Sequence, residues 1–305
     1  MNVVTGAFGF IGRYIARALL ESGEAVRTIT THPDKPNPFG TAVEAFPYHF
    51  DRPEDLVASL RGASTLYNTY WVRFERGGST FEQAVRNTVT LFESARRAGV
   101  GKIVHISVTH PSADSRLAYY RGKALQEQAL VSSGLPHAIV RPTLVFGSED
   151  ILVNNIAWLI RKFPLFPIGG SGRYALQPVY VGDVAAIAVG CAREPRSVTL
   201  DAIGPERFTF EEFVRVLASK VKPGVKLVHL PPACAIALGR IVGQVLGDVV
   251  LTRAELQGLM DGMLTSSQAP NAPTRFTDWI EEHRNEVGMS YSSELGRHFR
   301  WRGGP

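Results

Sequence analysis

Two groups of residues in this 305-residue chain have types and spacings that can do chemistry. The first is Gly6, Gly9 and Gly12, within the run Val3-Val4-Thr5-Gly6-Ala7-Phe8-Gly9-Phe10-Ile11-Gly12. A short β-prone stretch breaks into these glycines, and an amphipathic pattern follows at once. Ile11, Ile15 and Leu19 fall on one stripe of it, Arg13 and Arg17 on another. A strand, a tight turn and a helix N-terminus, in that order, bind a pyrophosphate, because free N–H groups and the helix dipole both favour an anion. Gly6 permits the turn, Gly9 lets the backbone approach the phosphates, and Gly12 lets the helix pack closely on the strand. Thr5, Phe8, Phe10, Ile11 and Arg13 complete this candidate dinucleotide site.

The second group is Tyr119 and Lys123, four apart and so on one face of a helix. Tyr120 is out of register, since its partner four residues on is Ala124. Ten residues before Tyr119, the segment Ile106-Ser107-Val108-Thr109 brings two hydroxyls to the end of a strand. A phenol of pKa about 10 is a poor base at neutral pH, and lowering it to about 7 requires roughly 4 kcal/mol. An adjacent ammonium and a positively charged nicotinamide supply that by favouring the phenolate. The pair therefore suits proton transfer to or from a substrate oxygen, coupled to hydride transfer.

The elements that must position these residues read as alternating strands and helices. Strands are expected near 25–31, 43–50, 64–70, 102–107 and 137–141, with helices near 53–60, 80–98 and 118–133. That alternation predicts a parallel sheet with right-handed crossovers. Past Gly147 the pattern changes. A helix over 151–162, a turn-rich stretch over 164–172, a helix over 183–192 capped by Asp183, a strand over 197–202 and a helix over 208–220 are expected, and the remainder is mostly helical. The fold class is α/β, a Rossmann-type doubly wound parallel sheet, and the family resemblance set out below implies a smaller, mostly helical C-terminal substrate lobe. Residues 1–148 form the NAD(P)-binding domain, and 149–305 a mixed segment that returns to the sheet and builds the lobe.

Composition narrows the partners. The chain carries a formal charge of +5, but its basic residues are interspersed with acids, apart from small groups such as Arg297, Arg300 and Arg302. Nucleic-acid binding would want a basic stripe interleaved with aromatics. A small anionic ligand is the better partner. Cys191 and Cys234 match no metal or redox spacing, so no metal is expected and a reduced, cytoplasmic protein is. The first strand starts almost at Met1, which leaves no room for a signal peptide. The most apolar stretch, Ala233 to Leu251, is broken by Arg240, Gln244 and Asp248, whereas a spanning helix needs ~20 nearly uncharged residues. It reads as a core or interface helix and leaves contact with a membrane surface open. Oligomeric state is not legible.

Thr-Gly-x-x-Gly-x-x-Gly, Tyr119-x-x-x-Lys123 and the run Arg141-Pro142-Thr143-Leu144-Val145-Phe146-Gly147 together resemble the short-chain dehydrogenase/reductase superfamily, in its extended and atypical branches. Tyr119-Tyr120-Arg121-Gly122-Lys123, Ser133-Gly134-Leu135 and Trp279…Arg297-His298 are similar to two of its types. These are the nucleotide-binding accessory subunit of respiratory complex I and the nitrogen-metabolite-repression regulators. The resemblance implies that Tyr119 is the acid/base, that Lys123 also holds the nicotinamide ribose, and that Thr109 orients the substrate carbonyl, with Ser107 as the alternative. It also implies that Asp51 holds the adenine edge; a helix cap is the other reading of that aspartate.

Rossmann units selective for NAD place an acid ~20 residues past the last glycine. Here Thr30, Thr31 and His32 stand there, and Arg13 and Lys35 offer positive charge, so NADP(H) is favoured over NAD(H). Two departures bear on catalysis. The end of the fourth strand is bulky, with Tyr70, Trp71 and Arg73, and the asparagine that many members carry on the long helix falls at Ala84, with Asn87 three residues on. Tyr70, Trp71, Arg73 and Asn155 are the candidate substrate residues. The reading is an NAD(P)(H)-dependent oxidoreductase or epimerase-like enzyme acting on a carbonyl or alcohol. The alternative is a non-catalytic NADP(H)-binding sensor or assembly subunit.

Overall fold

The computed structural model describes residues 1–298, so Arg300 and Arg302 of the C-terminal basic group lie outside the described residues. The chain opens with β1 (Asn2–Thr5), α1 (Phe10–Glu21), β2 (Val26–Thr30), β3 (Val43–Pro47), α2 (Pro53–Leu60), β4 (Thr65–Asn68), α3 (Phe81–Arg97), β5 (Lys102–Ile106), α4 (Ala118–Ser132) and β6 (His137–Pro142). It continues through β7 (Leu144–Phe146), α5 (Ile151–Lys162), β8 (Leu165–Gly169), β9 (Ala175–Leu176), β10 (Pro178–Tyr180), α6 (Val181–Arg193) and β11 (Val198–Ala202). Then follow β12 (Phe208–Thr209), α7 (Phe210–Val221), β13 (Lys226–Leu230), α8 (Pro232–Leu246), α9 (Arg253–Met260), α10 (Phe276–His283) and α11 (Glu294–His298).

Two compact units result. The first joins residues 1–142 to 181–202, the second 143–180 to the residues from Ile203 onward. In the first, seven strands form one sheet in the order β11-β6-β5-β4-β1-β2-β3, with parallel pairing throughout. Strands β1, β4 and β5 are buried along their whole length, as strands covered by helices on both faces must be. The chain order reverses between β1 and β4. Open α/β sheets bind ligands at the carboxyl ends of the strands flanking such a switch. The core on one face gathers Val3, Ile29, Leu56, Leu60, Leu66, Leu91, Phe92, Ile103 and Ile139.

The second unit packs a separate core of Phe146, Val153, Ile160, Phe213, Leu217, Phe276 and Trp279. Three of its helices, α5, α7 and α9, begin on side-chain caps. Asp150 accepts from the N–H groups of Leu152 and Val153 at the start of α5, and Thr209 and Thr252 each form a reciprocal capping box with a glutamate. Of the stretch expected to be turn-rich, the turn lies at 170–172, and Leu165–Gly169 before it is instead strand β8, which pairs in parallel with β13. Pro167 and Gly169 obscure it in the sequence, yet Phe166 and Ile168 alternate into the core, and an outer strand tolerates proline. Asp183 is not a cap. Helix α6 starts two residues earlier, and Asp183 lies in its first turn, where a negative charge suits the helix dipole.

Candidate active site

The glycine turn is built from contacts that only glycine allows. Gly6 takes the left-handed conformation at φ +63°, with its N–H donating to the Ile29 carbonyl at 2.8 Å. A Cβ on residue 12 would lie 2.3 Å from the Gly6 carbonyl oxygen, so α1 abuts the end of β1 at a separation no other residue permits. Gly9 is the N-cap of α1, without a side-chain cap and with no acid in the first turn. The N–H groups of that first turn are therefore left for an anion. Thr28 staples the loop from beneath, its Oγ1 donating to the Val4 carbonyl at 2.8 Å and accepting from the Ala7 N–H at 3.0 Å.

Thr5 is fully buried and ties two strand ends together. Its Oγ1 accepts from the Thr69 N–H at 2.7 Å and donates to Asn68 Oδ1 at 3.2 Å. Arg13 folds back over the turn, with Nη2 donating to the Phe8 carbonyl at 3.4 Å. Thr31 is exposed just past β2. Asp51 is exposed beyond β3 and does not cap α2, whose N-cap position is Arg52.

At the neighbouring strand ends, α4 presents Tyr119 and Lys123. Lys123 is 3% exposed, and its Nζ donates to the Ile106 carbonyl at 2.9 Å. Burial pushes its pKa down to about 7, partly opposed by the charge of Glu127. Glu127 itself makes a two-pronged pair with Arg141. Thr109, at the end of the β5 segment, is fully buried, and its N–H donates to the Pro142 carbonyl at 3.3 Å. Ser107 is also buried, and its Oγ has no hydrogen-bond partner among the described residues.

Trp71 dominates the surroundings of this pair. Its ring lies 4.9 Å from Lys123 Nζ, stacks on Phe81 at 5.5 Å, and meets the Tyr119 ring edge-on at 5.8 Å. It fits there because residue 122 is glycine; a Cβ would come within 2.5 Å of Trp71 Cη2. The Trp71 indole Nε1 is buried and has no hydrogen-bond partner among the described residues.

Two further residues of this neighbourhood are not evident from the sequence. Asn68 Nδ2 lies 3.0 Å from His105 Nδ1, which extends the Thr5–Asn68 bond into a buried polar chain across β1, β4 and β5. His105 is fully buried. Desolvation, then the charge of Lys123, hold its pKa well below the usual histidine range, so the ring is neutral at physiological pH. Its Nε2 has no hydrogen-bond partner among the described residues. The available signal was a histidine within the otherwise apolar strand Ile103-Val104-His105-Ile106.

The other candidates are placed as follows. Tyr70 packs at tilted angles against Tyr48 and Phe50, with ring centroids 4.9 and 5.1 Å away, and its hydroxyl accepts from Asn87 Nδ2 at 2.8 Å. Asn87 in turn accepts from Gln83 at 2.7 Å, and Ala84 is buried. Arg73 is half-buried in the loop after β4. Asn155 belongs to the second unit, where its amide clamps the backbone of Ser292 in both directions, at 3.0 and 2.8 Å.

Comparison with known proteins bears on this arrangement. The chain is 29% identical over 240 residues to the mitochondrial NADH dehydrogenase 1 alpha subcomplex subunit 9 of Arabidopsis thaliana, covering 75% of this chain but only 60% of that protein. Its similarity to the (4-alkanoyl-5-oxo-2,5-dihydrofuran-3-yl)methyl phosphate reductase of Streptomyces griseus is 27% identity, over 93% of this chain and 98% of the reductase. In fold it resembles the Citrobacter sp. triphenylmethane reductase complexed with NADP(H), at a TM-score of 0.72 and 17% identity, over 92% and 99% of the two chains. The profile of the NAD dependent epimerase/dehydratase family matches residues 2–202, which hold both the glycine turn and the Tyr-Lys pair. This chain therefore belongs to the NAD-dependent epimerase/dehydratase family, in the extended short-chain dehydrogenase/reductase group.

Proposed function

We propose that this protein is an NADP(H)-preferring oxidoreductase that interconverts a carbonyl and an alcohol, with Tyr119 as acid/base, Lys123 as its activator and Thr109 as the orienting hydroxyl. The observation that carries this reading is Lys123. Among the described residues its only hydrogen bond is to a backbone carbonyl, and it is buried one helical turn from a tyrosine. Burying a lysine without a bonded carboxylate lowers stability, so such a residue points to a role in a site.

The residues fit a dinucleotide. The N–H groups at the start of α1 and the Gly6–Gly9 turn would hold the pyrophosphate, Arg13 would balance a 2′-phosphate, and no acid at 30–33 opposes one. The unpaired Ser107 Oγ is a further buried group that gains from a polar ligand. When bound, the cofactor supplies or accepts the hydride. In reduction, Tyr119 donates its hydroxyl proton to the substrate oxygen; in oxidation, its phenolate removes the alcohol proton. Lys123 in its charged form stabilises that phenolate, and an anionic dinucleotide beside it favours the charged form.

A second reading is a protein that holds the dinucleotide without turning it over. It is favoured by Trp71, whose indole lies against the ammonium that would hold the nicotinamide ribose. A carbonyl and alcohol panel, read at the nicotinamide absorbance, decides between them. Tyr119→Phe is expected to lower turnover by ~10²–10⁴-fold while cofactor affinity holds. Turnover that survives Tyr119→Phe overturns the acid/base assignment. Tight NADPH binding with no turnover on any substrate selects the second reading.

A further inference from the structure

Helix α8 is predominantly apolar, interrupted on one side by Arg240, its only charged residue, and by Gln244. Helices of that composition are normally enclosed. Only one side of α8 is. Ala235, Ile236 and Gly243 face inward, Ala235 and Ile236 clustering with Leu256 beneath Leu230 and Leu251. On the opposite side Leu238, Ile241 and Val245 form a stripe at spacings of three and four, with Ile241 59% and Val245 82% exposed. The two-stranded sheet that α8 packs against also carries exposed apolar residues. Phe166 and Ile168 take its inner face, whereas Leu165 and Val228 stand exposed on the other.

The sequence of this segment carries an excess of basic residues. Residues 220–254 hold Lys220, Lys222, Lys226, Arg240 and Arg253 against one acid, Asp248. That acid is buried and satisfied internally, accepting from the Tyr291 hydroxyl and from the N–H groups of Glu294 and Leu295. Lys220 pairs with Glu281, and Lys222 bonds the Arg161 carbonyl. Among the described residues, Lys226, Arg240 and Arg253 have no carboxylate partner.

We propose that α8 and the outer face of β8–β13 dock this protein on an anionic lipid surface, with the helix lying in the plane of the interface. Apolar side chains on one face and basic groups beside them are what such an interface recognises, the stripe entering ~5–10 Å below the headgroups. At ~1.5 Å per residue α8 spans about 22 Å, short of the ~30 Å hydrocarbon core, so it lies on the bilayer and does not cross it. A second copy of the chain is a poor occupant. A two-fold contact through this surface would bring two copies of the same basic face, with Lys226, Arg240 and Arg253, together.

The test is flotation of the purified chain with vesicles of pure phosphatidylcholine and with vesicles containing about one third phosphatidylglycerol. The expected result is binding to the anionic vesicles alone, weakened by salt. Ile241→Asp and Val245→Asp alter exposed positions, so the fold and the NADPH-induced rise in melting temperature should stay as in the parent, while vesicle binding falls at least tenfold. Arg240→Glu should lower anionic-vesicle binding with the apolar stripe intact. Absence of parent binding to either vesicle overturns the proposal, as does equal binding to both. A parent dimer that ignores vesicles and dissociates on Ile241→Asp overturns it in favour of self-association. Because NADPH stabilisation is read in the same samples, failure here is distinguishable from failure of the cofactor assignment.

Discussion

The buried Lys123 predicts a particular dependence of stability on pH. Its pKa falls from 10.5 to about 7 on folding, which corresponds to ~5 kcal/mol when the ammonium is fully penalised. The unfolded chain holds this proton up to its ordinary pKa, and the folded chain gives it up near neutrality. Between those limits the unfolded state binds more protons, so stability rises with pH. The penalty is complete below about pH 7 and gone above about pH 10.5. From about pH 8 to about pH 9.5 the expected gain is ~2 kcal/mol, since the slope is ~1.4 kcal/mol per pH unit. Other groups oppose it. The thiol of Cys191 is raised by burial, so its titration lowers stability in alkali. The measurement is therefore a difference: urea unfolding of ligand-free parent and Lys123→Met across this range, with the parent gaining ~2 kcal/mol on the variant. Parallel curves would refute the reasoning, by showing that the Ile106 carbonyl and the Trp71 ring keep the ammonium charged after all.

Three other outcomes are expected. Gly12→Ala places a Cβ 2.3 Å from the Gly6 oxygen, so it should remove the NADPH-induced rise in melting temperature; a variant with a full response would contradict the turn's role. NADPH should bind more tightly than NADH in calorimetric titration, and Arg13→Ala should narrow the gap; equal affinities in the parent would end the NADP preference. Trp71→Ala should strengthen NADPH binding several-fold by clearing the ring from Lys123, and an unchanged affinity would show that the indole and the cofactor do not compete.

The glycine turn was legible because its geometry is local. Gly6, Gly9 and Gly12 lie within seven residues, and the backbone conformations they permit belong to those residues themselves. Tyr119 and Lys123 were legible for a similar reason, since a helix alone sets residues four apart on one face. Alternating strand and helix patterns determined the parallel sheet. What only the tertiary structure decided comes from contacts between distant segments. Strands β8 and β13 pair across a gap of some sixty residues, and no periodicity in either short run announces the other. The clamp between Asn155 and Ser292 spans 137 positions. Asn68 and His105 look ordinary in sequence and meet only because β4 and β5 are neighbours. Trp71 comes to rest on Lys123 because Gly122 leaves a space for a ring from another element. Residue types and short spacings set what each segment can form, and packing decides which of those segments share a site.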